Sequence, residues 1–230
     1  ERKDRTGRNE MIVHPLFHYE SKSPVFACQR LKNGNTFVGE CVTGRMLEIS
    51  PKGKIVKETC ILPKGVKDGG FAFMRNARRL DNGHFLVAHY GDQCVKEYDA
   101  NGKVVWKLDV PGGPHSLTRL PNGHTLIAVA DKDQNPRLIE VTPEGKTIWE
   151  ISNADIPGKP LTFLGGFQYF SDGRFLITNW TGHVKAKEKV HLLLVDRQKN
   201  VLYAVEKTPE LQTVSSVYSR DKPAGVASYH

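Results

Sequence analysis

The segment 78–108, RRLDNGHFLVAHYGDQCVKEYDANGKVVWKL, sets short alternating apolar runs between two turn dipeptides, Asn82-Gly83 and Asn101-Gly102. Asn-Gly between alternating hydrophobic residues marks a tight hairpin, because both central residues of a type I′ turn take positive φ. The pattern recurs at 30–58, at 119–151 and, more loosely, at 169–205. The turn glycines Gly34, Gly83, Gly123 and Gly173 therefore repeat at a spacing of roughly 40–50 residues, with four strands in each unit. That period is the signature of an all-β chain folded as a β-propeller of four-stranded antiparallel blades.

Strand roles follow from position in the repeat. An inner strand precedes each turn (VFACQRL, RNARRL, HSLTRL, GFQYF), and the next strand is the most apolar (TFVGEC, FLVAHY, TLIAVA, FLITNW), as expected of one packed between neighbouring blades. The outer strand carries Trp106, Trp149 or Tyr203, with the two tryptophans expected as wedges between blades. Blade-like units span 24–62, 74–110, 114–152 and 165–207 within a single domain, 1–230, with partial blades at 11–20 and 211–221. A propeller must close its sheet edges. Two solutions fit: a five-bladed ring pairing the two partial blades, or part of a six- or seven-bladed ring. The mid-blade start at Glu1, without an initiator Met, favours the second.

The net charge of +8 admits acidic partners, but the basic residues are scattered through turns and strand edges. Only ERKDRTGR at the N-terminus and KAKEK at 185–189 are clustered. Such scatter keeps a sheet surface solvated and blunts edge pairing. With no nucleic-acid-binding motif, a nucleic-acid partner is not expected. No apolar run is long enough to span a membrane. Cys28, Cys41, Cys60 and Cys94 show no metal-ligand spacing and read as small core residues. The hairpin register places Cys28 opposite Gly39 and Cys41 opposite Phe26.

YDANGKVVW (98–106) and VTPEGKTIW (141–149) resemble the outer-strand motif of the PQQ-like, or quinoprotein-like, β-propellers, in which a Gly turn is followed by a Trp docked between blades. The inner hairpin also resembles that of arylsulfotransferase-like propellers. FLGGFQYFSDGRFLITNWTGH (163–183) resembles a late blade of secreted bacterial PQQ-like proteins of unassigned activity. The resemblance covers about 24–221 and implies a periplasmic or extracellular location. It does not extend to bound PQQ. Quinoprotein dehydrogenases carry adjacent cysteines and a calcium-binding acidic constellation, and this chain lacks the cysteine pair. No cofactor and no metal are expected. The weak calcium candidate, Asp131-Lys132-Asp133-Gln134-Asn135, lacks the glycine and distal glutamate of an EF-hand loop.

Propeller topology places the Asn-Gly turns on one rim and the longer, irregular connections on the other, where a rigid scaffold usually carries its site. That second rim holds Phe71, Arg75, His89, Tyr90, Asp92, His115, Asn179, Trp180 and His183. Glu40, His89, Val129 and Asn179 share one repeat position, polar in three of four copies at the end of an apolar strand. Gln29, Arg78, Thr118 and Gln168 share another, read as lining a water-filled channel. The ligand-binding candidates are Arg75, Arg78, His89, His115, Gln168, Asn179, Trp180 and His183. His115, His89 and Asp92 are the catalytic candidates, the latter two as an oriented His–carboxylate pair. His84 and His124 read as surface residues.

Three functions compete. The leading one is a ligand-binding propeller, with a small molecule or glycan on its polar central face. The second is a sugar-processing enzyme such as a polysaccharide lyase, with His115 or His89 as base and Arg75 or Arg78 neutralising a uronate. The third is a scaffold with a protein partner.

Overall fold

A computed structural model describes residues 17–130, 135–181, 190–206, 213–217 and 219. They form four sheets of four antiparallel strands each. The first blade comprises β1 (Val25–Arg30), β2 (Thr36–Glu40), β3 (Arg45–Ile49) and β4 (Ile55–Cys60). The second comprises β5 (Asn76–Arg79), β6 (Phe85–His89), β7 (Cys94–Tyr98) and β8 (Val104–Asp109). The third comprises β9 (Pro114–Arg119), β10 (Thr125–Val129), β11 (Arg137–Val141) and β12 (Thr147–Ser152). The fourth comprises β13 (Leu164–Tyr169), β14 (Phe175–Asn179), β15 (Val190–Val195) and β16 (Val201–Glu206). The glycines of the inner turns, Gly34, Gly83, Gly123 and Gly173, have φ of 83°, 87°, 86° and 91°, which only glycine adopts without strain.

The expectation of five or more blades is overturned: the described residues form four. The described parts of both supposed partial blades, 17–20 and 213–217 with 219, form no strand. They dock on the outer blades instead. Phe17 and Tyr19 cover Val38, Leu47 and Ile49 of the first blade. At the other end, Thr178 Oγ1 donates to Ser215 O at 3.2 Å, and Gln168 brackets the Ser219 backbone. A sheet face can be covered by side chains from an irregular segment, so these apolar stretches need not become strands.

Second strands are buried almost throughout, and outer strands are largely exposed, as their compositions require. Apolar clusters bridge the first and second blades, the second and third, and the third and fourth. Trp106 and Trp149 are inter-blade wedges as expected. Trp106 Nε1 donates to Pro143 O of the third blade at 2.8 Å, and Trp149 Nε1 donates to Arg197 O of the fourth at 2.9 Å.

Three smaller expectations fail. The first inner turn runs over Lys32-Asn33-Gly34 between Leu31 and Asn35, so Cys28 faces Val38 and Ala27 faces Gly39, and a bulge between Val25 and Ala27 shifts the pairing again farther from the turn. Cys41 and Cys94 are buried, but Cys28 and Cys60 are exposed, and all four are free thiols. His84 and His124 are not simple surface residues. Their Nδ1 atoms lie 2.7 and 2.8 Å from Glu97 and Glu140 on the third strands. Arg119 and Arg197, each from the following blade, pair with those same two glutamates. The turn rim is thus tied by repeated inter-blade ion pairs.

Candidate functional site: an aromatic belt on the loop rim

The polar residues ending the second strands hold the rim from beneath. Glu40, His89 and Asn179 are fully buried. Asn179 Oδ1 accepts from Thr162 N at 2.7 Å and Phe163 N at 3.2 Å, while its Nδ2 donates to Pro160 O and Val190 O. His89 Nδ1 donates to Phe73 O at 2.8 Å, since a carbonyl only accepts, which leaves Nε2 to accept from Tyr98 OH at 2.8 Å. Glu40 accepts from Tyr19 OH, Lys22 N, Thr43 Oγ1 and Arg45. Burial works to raise the Glu40 carboxyl, but these donors outweigh it and hold its pKa below the usual range. In each case the side chain ties down the backbone that leads into the inner strand of its own blade. The third copy, Val129, has no such task, because the connection from β8 to β9 is short. The polarity at this repeat position is therefore explained by satisfied buried backbone groups.

This removes the expected His89–Asp92 pair. Both ring nitrogens of His89 are engaged elsewhere, and Asp92 accepts from Lys96 Nζ at 3.0 Å. Burial, helped by the Lys96 charge, lowers the His89 pKa to about 4. Gln168, a ligand candidate, and Gln29, expected with it to line a channel, are both buried. Each brackets a neighbouring backbone with two hydrogen bonds, Gln29 that of Arg79 and Gln168 that of Ser219. Arg78 is half-buried, and desolvation lowers its pKa to about 10. Among the described residues it forms no ion pair with a carboxylate. His183, residues 131–134 of the calcium candidate 131–135 and the basic cluster at 185–189 lie outside the described residues. No group of three or more metal-ligating side chains occurs among the described residues.

What the fold brings together is a belt of rings crossing all four blades. Phe26 of β1 meets Phe71 edge-on at 5.2 Å. The Arg75 guanidinium lies 5.1 Å from the centroid of Phe26, 4.7 Å from Phe71 and 5.3 Å from Tyr90. Tyr90 meets His115 of β9 at 6.4 Å, His115 meets Phe163 at 5.0 Å, and Phe163 meets Trp180 at 5.4 Å, all edge-on. Phe71 is 56% exposed and the other members are half-buried, so the belt is a surface and not a core. Three of the expected ligand residues, Arg75, His115 and Trp180, belong to it.

Its electrostatics are one-sided. No described carboxylate pairs with Arg75, and its buried Nε has no hydrogen-bond partner among the described residues. His115 Nδ1 donates to Gly165 O at 2.8 Å, which leaves the unprotonated Nε2 as a lone-pair acceptor. Burial, with a smaller contribution from Arg75, lowers the His115 pKa to about 4, so the ring is neutral at physiological pH. Phe26 and Phe163 were missed in the sequence because an aromatic residue beside an apolar run reads as core. The proximity of Phe26 to Arg75 is set by the docking of the first two blades, and that of Phe163 to Trp180 by the end of the β13–β14 hairpin, where Trp180 N donates to Phe163 O.

The chain is similar in structure to a protein of unknown function from Bacteroides caccae, with a TM-score of 0.76 and 22% identity over 92% of this chain and 76% of that one. It is also similar to streptogramin B lyase, with a TM-score of 0.56 and 13% identity over 84% of this chain and 57% of that one. A catalytically inactive virginiamycin B lyase from Staphylococcus aureus with quinupristin gives a TM-score of 0.56 and 13% identity, over 85% and 59%. The chain thus spans less than two thirds of the length of these lyases. Such identities establish the fold alone, that of a β-propeller. No protein-family model matches the chain, and no curated protein matches it. The quinoprotein-like resemblance is therefore carried no further than the fold.

Proposed function

We propose that this β-propeller is a ligand-binding module that takes up a carbohydrate on its loop rim. The observation that carries this reading is the aromatic belt built around Arg75 and spanning the four blades. Partly exposed rings offer apolar faces and edges to the C–H surface of a sugar. Around them, Arg75 donates and His115 Nε2 accepts, which suits hydroxyl and carboxylate substituents. A guanidinium without an acidic partner favours a glycan bearing carboxylates. A periplasmic or extracellular location would agree with such a ligand.

The test is titration of the full chain with neutral and uronate-containing oligosaccharides, followed by calorimetry. Saturable binding is expected, weakened about tenfold or more by Trp180→Ala, in line with the loss of one stacking ring. Arg75→Gln should weaken uronate binding more than neutral-sugar binding. If no glycan binds, the carbohydrate reading fails, and recovery of a protein partner by the same rim would favour a scaffold.

A second reading, a sugar-processing enzyme such as a lyase, draws on one feature. The His115 ring has a fixed tautomer with Nε2 unprotonated, and Arg75 lies close enough to lower its pKa. A base with pKa of about 4 is a weak one at neutral pH. Release of an unsaturated, ultraviolet-absorbing product that disappears in His115→Ala would establish this reading over simple binding.

A further inference from the structure

We propose that the crevice between the first and second blades is a separate binding site for a small planar heteroaromatic molecule of indole size. It involves none of the loop-rim belt, so it stands or falls independently of the carbohydrate reading. The argument begins with strand register. Trp106 is paired with Glu97, and Trp149 with Glu140; the residue paired with Glu48 in the first blade is Lys57. Where the second and third blades each send an indole towards the next blade, the first sends a lysine. The Lys57 side chain is 66% exposed, and its Nζ lies 3.5 Å from Glu48.

Beside the place the indole takes in the sibling blades lies a cavity here; Phe37 stacks on Phe85 at 5.8 Å, and the Arg79 guanidinium lies 4.7 Å from the Phe85 centroid. The cavity has a volume of about 160 Å³ and is lined by Phe37, Leu47, Lys57, Arg79, Phe85 and Ala100 among others. For comparison, an apolar cavity of about 150 Å³ holds one benzene.

The lining reproduces the indole's partners in the other two interfaces. Arg79 occupies the inner-strand position of Arg119, whose guanidinium lies 5.0 Å from the Trp106 ring. Phe85 occupies the position of Phe175, on which Trp149 stacks at 4.7 Å and 12°. Ala100 occupies the turn position of Pro143 and Arg197, whose carbonyls accept the indole N–H bonds. The Ala100 carbonyl accepts from Thr59 Oγ1 at 2.9 Å and has a second lone pair. Arg79 Nη1 is buried without a hydrogen-bond partner among the described residues. Arg79, the Phe37–Phe85 ring pair, an apolar wall at Leu47 and an acceptor thus line a space beside the position that sibling blades fill with indole. A flat ring with one N–H donor satisfies all four.

Free indole is the probe. Adding it to the full chain should give saturable NMR shifts of the Leu47 methyl signals and of the Phe37 and Phe85 ring signals. Lys57→Trp should fill the cavity, raise Tm by several degrees and weaken indole binding at least tenfold. Arg79→Ala, a second and independent variant, should also weaken it at least tenfold by removing the stacking cation. The proposal is overturned if indole produces no such shifts up to its solubility limit, or if folded Lys57→Trp or Arg79→Ala binds it as well as the parent. Binding of a tryptophan-bearing peptide without binding of free indole would also overturn it.

Discussion

His89 is fully buried with both ring nitrogens committed, one donating to Phe73 O and the other accepting from Tyr98 OH. Its folded pKa of about 4 lies below the usual histidine value of about 6.5. The unfolded chain therefore binds a proton that the folded chain refuses between those two pH values, so stability is highest above about pH 6.5 and falls as pH drops towards 4. A shift of this size corresponds to about 3 kcal/mol for His89, and His115 acts in the same direction. Urea unfolding at a series of pH values should show this decline. His89→Gln should flatten part of it, at a cost at neutral pH of about 1–3 kcal/mol for the imperfectly replaced buried hydrogen bonds. An unchanged slope would mean that His89 does not remain neutral in the folded chain. The residue's polarity was legible in the sequence, but its role was not. A histidine at the end of an apolar strand looks the same whether it faces a ligand or a buried carbonyl.

At the scale of the strand and its connection, Asn179 shows how the repeat was adapted. The link between β12 and β13 is long, and one side chain satisfies four backbone groups: Thr162 N, Phe163 N, Pro160 O and Val190 O. Asn179→Ala should lower stability by about 3 kcal/mol, since several buried polar groups lose their partner at once. It should also weaken glycan binding, because Phe163 and Trp180 sit on the segment it holds. Calorimetric unfolding together with the oligosaccharide titration checks both. Loss of stability with unaltered binding would separate the bracket from the site. The strands themselves were readable from alternation and Asn-Gly turns. The register at Cys28 departs from expectation because the turn spans Lys32-Asn33-Gly34 instead of the two central residues of a type I′ turn, and the bulge between Val25 and Ala27 changes pairing farther along without changing the apolar pattern.

Across the whole molecule, three inter-blade interfaces share one plan but not one quality. The second-to-third and third-to-fourth interfaces each hold an indole, whereas the first-to-second holds a cavity. In a repeat array, stability is a sum of unit and neighbour terms, so the weakest interface opens first. Native-state hydrogen exchange should therefore be faster in β1–β4 than in β9–β12, and Lys57→Trp should narrow the difference. Uniform protection across the blades would show that the cavity carries no measurable cost. The departure at Lys57 could have been found by setting KIVKE beside KVVWK and KTIWE. It becomes a site only when the neighbouring blade supplies Arg79, Phe85 and Ala100.

Local chemistry accounts for what the sequence determined alone. Turn glycines with positive φ, period-two alternation and a repeat of fixed length specify antiparallel blades, since each of these acts over a few residues. Blade number was not specified, because Phe17, Tyr19 and the segment around Ser215 are apolar or strand-like yet cover sheet faces without joining a ladder. Nor was the site. Arg75 and Tyr90 belong to the second blade, His115 to the third, and Phe163 and Trp180 to the fourth, so the Tyr90–His115 and His115–Phe163 contacts that join them arise only through the packing angles between sheets. Contacts across blades depend on how faces dock, and only the tertiary structure decides that.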